Sequence, residues 1–179
     1  MAGWGAESGK AVSEASSPPG APRYFRPHRA MRQFSIATDI AAPANRVWDV
    51  MSDVDRWHEW TPSITSVRRL TDGPFAVGTR VVIRQPKFPP AVWKVTAIQP
   101  GRSFTWVSVA PGLRVTGHHA VEPTPTGSRA TLSLDLQGVF GGLWGLLTKG
   151  ITRRYIGYEA AGLKARCERP DFRHSATDR

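Results

Sequence analysis

The sequence predicts an α+β fold in which a curved antiparallel sheet of about seven strands wraps around one long C-terminal helix. Three observations carry this. Between residues 64 and 137, turn signals built on Gly and Pro recur about every 8 to 15 residues with no helical period between them, which reads as a meander of antiparallel strands. One further strand and two short helical stretches precede the meander. Residues 138–169 form the only segment long enough for a long helix, with apolar side chains at Phe140, Leu143, Leu147, Ile151, Tyr155, Tyr158 and Leu163 returning to one face.

The first element is the strand over residues 33–41, where Phe34, Ile36 and Thr38 alternate with polar partners. Pro43 then suits a helix start, because its missing N–H costs nothing there. Val47, Trp48, Val50 and Met51 supply the apolar face of a short helix. A second short helix follows, with Ser52 and Asp53 as N-cap candidates and with Trp57 and Trp60 three apart on one side, until Pro62 ends it.

Six strands come next, over residues 64–70, 78–85, 91–98, 102–109, 113–121 and 129–137. Asp72-Gly73-Pro74, the KFPP loop, Pro100-Gly101, Pro111-Gly112 and residues 124–127 turn the chain between them. A sheet with one covered face alternates, and the parity can be read strand by strand. Ala130, Leu132, Leu134 and Leu136 point inward, as do Trp93, Val95 and Ala97; Phe104, Trp106 and Ser108; Val115, Gly117, His119 and Val121; and Val81, Ile83 and Gln85. The inner face is therefore apolar except for Gln85, Ser108 and His119, with Thr79 near a strand end. A few polar groups on apolar walls are how small-molecule sites are usually built. His118 and His119 cannot chelate one metal from a regular strand, because successive side chains point to opposite faces.

After its opening Gly138 the helical segment carries six glycines, Gly141, Gly142, Gly145, Gly150, Gly157 and Gly162, each costing about 1 kcal/mol relative to alanine in a helix. Intrinsic propensity cannot hold such a helix, so the sheet must. Those near its start either leave a hollow beside the sheet, mark close backbone packing or belong to a mobile lid.

Composition narrows the function. The chain has 179 residues and a net charge of +10, but residues 33–168 carry 16 basic and 10 acidic side chains, so the excess is dispersed along the chain. Nucleic-acid binders concentrate it on a stripe or helix, which argues against a nucleic-acid partner. Residues 1–32 and 169–179 read as disordered tails around a domain at 33–168, the first rich in Pro, Gly, Ser and Ala and carrying a basic cluster from Arg23 to Arg32. Met31 stands just before the first strand and is an alternative start for the folded part. No stretch of about 18 apolar residues and no apolar leader core occur, so a cytoplasmic protein is expected.

A single cysteine, Cys167, leaves no intramolecular disulfide. No Gly-x-Ser-x-Gly, His-Glu-x-x-His or Cys-x-x-Cys occurs, and neither metal nor cofactor is expected. The segment GGLWGLLTKGITRR places an apolar patch beside basic residues, a pattern suited to transient contact with a membrane surface.

The element order and the segments PANRVWDVMSDVDRWHEWTPSI, VGTRVVIRQP, FTWVS and GYEAAGLKARCE resemble the START-like helix-grip superfamily, in particular its polyketide cyclase/dehydrase and lipid-transport group, often labelled SRPBCC. The resemblance covers about residues 33–168. It implies a helix-grip fold and an apolar or aromatic ligand, lipid- or polyketide-like, held between sheet and long helix. In that frame Gln85, Trp93, Trp106, Ser108, Val115, Leu143, Leu147 and Ile151 would line the cavity, with Trp57 and Trp60 near its mouth unless they serve packing. The superfamily has no shared catalytic signature, so a carrier and a cyclase or dehydratase remain alternatives. For the enzyme, His119 would act as general acid or base and Tyr155 or Tyr158 as oxyanion donor. The inner face offers no arginine, which such cyclases often keep.

Overall fold

The computed structural model describes residues 32–170. The expected tails at 1–32 and 169–179 lie almost wholly outside the described residues. Seven strands, β1 (Arg32–Ile40), β2 (Ser66–Arg69), β3 (Arg80–Arg84), β4 (Ala91–Gln99), β5 (Ser103–Ala110), β6 (Leu113–Thr124) and β7 (Gly127–Gln137), form one antiparallel sheet in the order β1-β7-β6-β5-β4-β3-β2. The crossover from β1 to the far edge is made by α1 (Ala44–Ser52) and a 3₁₀ turn (Val54–Glu59). Pro43 sits in extended backbone ahead of α1, and its carbonyl accepts the Val47 amide at 3.2 Å.

Most of the inward parity is realised: Ala130, Leu132, Leu136, Val121, Phe104, Trp106, Val95, Val81 and Ile83 are buried. Ala97 is the exception and faces solvent. The β4–β5 register shifts between Val95 and Ala97, so that Ile98 packs against the core in its place. The extra residue of the bulge reverses the parity of everything after it, which strict alternation cannot foresee.

The C-terminal segment is two helices, α2 (Gly141–Leu147) and α3 (Lys149–Glu168). The break falls at Thr148, whose amide and hydroxyl both donate to the Trp144 carbonyl, at 2.8 and 2.7 Å. A hydroxyl that takes up a helical carbonyl in this way offers the backbone an alternative to helix continuation. The covered face of α3 is Thr152, Ile156, Ala160, Leu163 and Cys167. That stripe is displaced from the expected one: Tyr158 is 41% exposed, and Phe140, Leu143 and Leu147 are exposed on and before α2.

Two of the helical glycines mark close packing. A Cβ on Gly162 would lie 2.1 Å from the Trp60 carbonyl oxygen, and one on Gly145 2.6 Å from Cδ of Arg32. Gly150 and Gly157 face open space.

Candidate functional site

Where α3 lands decides where the site is. It packs chiefly over β1, with further contact to α1 and β7, and so covers only one side of the concave face. Between this helix, α2 and the middle of the sheet runs a groove of about 610 Å³. One wall is the sheet, with Trp93 of β4, Ser108 of β5, Val115 of β6, and Leu134 and Leu136 of β7. The opposite wall is Leu143, Trp144 and Leu147 of α2 with Thr152 and Tyr155 of α3.

The β3–β4 loop closes one end. Its Pro86 carbonyl accepts the Tyr155 hydroxyl, and Phe88 meets the Tyr155 ring edge-on at 5.6 Å. The β5–β6 turn borders the groove through Val109 to Pro111. It also pins the entrance of α2, since the Gly112 carbonyl accepts the Phe140 amide at 3.1 Å. Gly112 is required there: its φ is +70° and a Cβ would lie 2.3 Å from the Phe140 ring.

Among the described residues, the polar side chains on the lining are Gln85, Ser108, Thr152 and Tyr155, and no charged side chain lines the groove. These groups can orient a ligand by hydrogen bonds while the rest of the surface excludes water. An ionised ligand would lose its hydration there with nothing to offset the loss.

Behind the groove lies an aromatic cluster. Trp93 packs on Trp106 at 5.1 Å, Trp106 on Trp57 at 5.1 Å, and Trp57 on Phe104 at 6.4 Å. Gly117, opposite Trp106 in the β5–β6 ladder, makes this layer possible, because a Cβ would fall 2.4 Å from the indole nitrogen. His119 is buried in this layer, 4% exposed. Its ring stacks on Phe104 at 4.5 Å and 5°, and its Nε2 lies 2.8 Å from Oε1 of Glu159 on α3. Nδ1 of His119 and Nε1 of Trp106 are both buried without a protein partner.

The structure thus separates the residues singled out from sequence into two groups. Gln85, Trp93, Ser108, Val115, Leu143, Leu147 and Tyr155 come together on the groove. Trp57, Trp60, Trp106, His119, Ile151 and Tyr158 are not on its lining. Trp57 is a core residue, 1% exposed, whose indole N–H donates to the Met51 carbonyl at 3.1 Å, and Trp60 packs beside it at 5.5 Å. Tyr158 lies on the exposed side of α3 because its helical phase differs from that of the covered stripe. The Tyr155 hydroxyl donates to the Pro86 carbonyl.

Sequence reasoning missed Glu159, Thr152, Phe88 and Trp144. Glu159 follows Tyr155 by four residues, so the same helix face was a usable signal. Its pairing with a histidine 40 positions earlier was not.

On the outer face His118 lies 3.3 Å from Asp135 and 3.0 Å from the Thr105 hydroxyl. Burial pushes its pKa below the usual histidine value despite Asp135, which raises it, so the contact is a neutral hydrogen bond near pH 7. Cys167 is fully buried, and burial pushes its thiol up to about 12. Among the described residues no cluster of three or more His, Cys, Asp or Glu could hold a metal, and no helix is long and apolar enough to cross a membrane.

Solved structures share this architecture at low identity. An aromatase/cyclase, Zhui, from Streptomyces sp. R1128 aligns with a TM-score of 0.64 and 18% identity, covering 77% of this chain and 94% of its own. A START superfamily protein from Mycobacterium smegmatis gives 0.64 and 14%, covering 76% and 97%. A hypothetical protein from Helicobacter pylori gives 0.69 and 14%, covering 87% and 99%. Among curated proteins, none matches the sequence. The likeness in structure establishes the START-like helix-grip fold. The sequence itself matches the family model described as polyketide cyclase/dehydrase and lipid transport over residues 31–168, which takes in nearly all of the described residues, and the chain belongs to that family.

Proposed function

We propose that the protein binds a neutral, largely apolar small molecule, lipid- or polyketide-like, in the groove between the sheet and α2–α3, and acts as a carrier or binding protein. One observation carries this reading: about 610 Å³ of space is lined, among the described residues, by apolar side chains and a few neutral polar ones, with no charge among them. Gln85 and Ser108 would orient hydroxyl or carbonyl groups of the ligand, and Trp93 offers a flat surface for an aromatic one. Titrating the protein with a polycyclic phenol and with its carboxylate analogue tests the reading. The phenol should quench tryptophan fluorescence saturably and the carboxylate should bind at least about tenfold more weakly, a modest part of the cost of burying an unpaired charge. Absence of binding by either compound, or equal binding of both, overturns it. Native mass spectrometry of protein purified from its own host would identify the ligand class.

A second reading, a cyclase or dehydratase-like enzyme using the same groove, is favoured by the two unpartnered ring nitrogens. A buried polar atom without a partner calls for an explanation, and a catalytic role is one. With Glu159 accepting from Nε2–H, His119 would keep Nδ1 as a base. Trp106 stands between His119 and the groove, so the indole would have to turn aside. His119→Ala decides: turnover of a poly-β-ketone substrate should vanish while ligand affinity stays. A wild-type protein without such turnover removes the enzyme reading and leaves the binding reading intact.

A further inference from the structure

The rim of the groove at α2 is apolar and faces outward. Val139 is 79% exposed, Leu147 72% and Leu146 59%, and Phe140, Leu143 and Trp144 are exposed beside them. Val109 extends the patch from the β5–β6 turn, which touches Val139 and Phe140 at Gly112. A contiguous patch of this kind on a soluble domain marks a surface with a partner.

Charge identifies the partner. Three segments frame this rim: residues 85–94, 107–117 and 136–158. They carry Lys87, Lys94, Arg114, Lys149, Arg153 and Arg154 and no Asp or Glu. Five exposed or half-exposed carboxylates lie toward the other end of the strands, Asp39 and Glu122 beside the β6–β7 turn and Asp53, Asp55 and Glu59 on the 3₁₀ turn and just before it. The two that border these segments are turned away from the rim, Asp135 buried against His118 and Glu159 paired with the buried His119. A second copy of the chain would set six cations against six cations. An anionic surface with an apolar interior accepts both features of the rim at once.

We propose that this rim docks on an anionic lipid bilayer, with Val139, Leu143, Leu146 and Leu147 entering the headgroup–acyl boundary and the six cations meeting lipid phosphates. Docking there would face the groove toward the bilayer, although the docking itself does not depend on what the groove holds.

Flotation of the full chain with vesicles provides the test. The protein should bind phosphatidylcholine vesicles containing phosphatidylglycerol, bind pure phosphatidylcholine far more weakly, and be released by salt. Neutralising Lys149 and Arg154 together, as Lys149→Gln and Arg154→Gln, should weaken binding about 25-fold, at about fivefold per cation near the surface. The double variant Val139→Glu with Leu146→Glu should abolish binding, and binding of the polycyclic phenol in solution should stay unchanged because neither residue lines the groove.

Wild-type protein that ignores anionic vesicles overturns the proposal, as does binding that survives both double variants. Binding lost only when Arg23, Arg26 and Arg29 are neutralised would assign it to the N-terminal segment instead and also overturns it. Self-association that Leu146→Glu abolishes would make the patch a homotypic interface, with the same consequence. Vesicle binding that follows the patch in a protein that binds no phenol would uphold docking and remove the ligand-binding reading, so the two fail separately.

Discussion

The concave face of the sheet has a closed half and an open half, built from the same strands. In the closed half, Trp57, Phe104 and His119 pack ring on ring under the 3₁₀ turn, and Ile156, Ala160, Leu163 and Cys167 of α3 complete the core. In the open half, Trp93, Val115 and Leu134 face α2 across empty space. The inward parity of β5 and β6 runs unbroken through both. The difference lies in what covers them. The long helix passes over β1, whereas α2, set apart by the break at Thr148, presents exposed leucines. The same alternation of residues therefore makes a core where a helix presses on it and a site where none does.

Substitutions should divide along this line. Trp57→Ala in the closed half should cost about 3–5 kcal/mol, whereas Leu147→Ala on the open rim should stay within about 0.5 kcal/mol, both read by urea denaturation. Equal losses would erase the distinction. Glu159→Ala should cost about 1–3 kcal/mol by leaving a buried histidine nitrogen unpaired, with little change in phenol affinity. A large loss of affinity would instead place His119 in contact with the ligand.

The helical glycines sharpen the contrast. Gly162→Ala forces a Cβ against the Trp60 carbonyl and should destabilise by about 1–3 kcal/mol. Gly157→Ala enters open space and should stabilise by about 1 kcal/mol. A thermal unfolding series of the two variants checks the opposite signs.

The smallest effect concerns the outer face. His118 has its folded pKa depressed by burial, so the unfolded chain binds the extra proton once pH falls toward the ordinary histidine value of about 6.5. Stability from this group is complete above that value and is lost as pH falls through the depressed folded one. Replacing His118 with Asn should flatten the acid limb of the stability profile between pH 7.5 and 5. An unchanged slope would show that other groups set it.

Much of this molecule is written locally. Strand parity depends on a period of two, and turns on Gly, Pro and Asp at fixed places. The seven strands accordingly fall within about three residues of where the sequence puts them. Groove residues on strands, such as Trp93, Ser108 and Val115, were legible for the same reason. Those on helices were less so, because a phase error of one position turns a side chain by 100°. Tyr158 was misplaced in this way.

What only the tertiary structure decided are the matters settled by contact between distant segments. The bulge in β4 arises from pairing with β5. His119 of β6 meets Glu159 only because α3, docked chiefly on β1, brings that carboxylate within 2.8 Å of the ring. Gly162 is a packing residue because Trp60 comes to rest against it, while Gly157 on the same helix is not. Which half of the sheet stays open follows from where the last helix docks. Local periodicity carries the direction of a side chain but not the identity of what it will face, and a core and a cavity share the first and differ in the second.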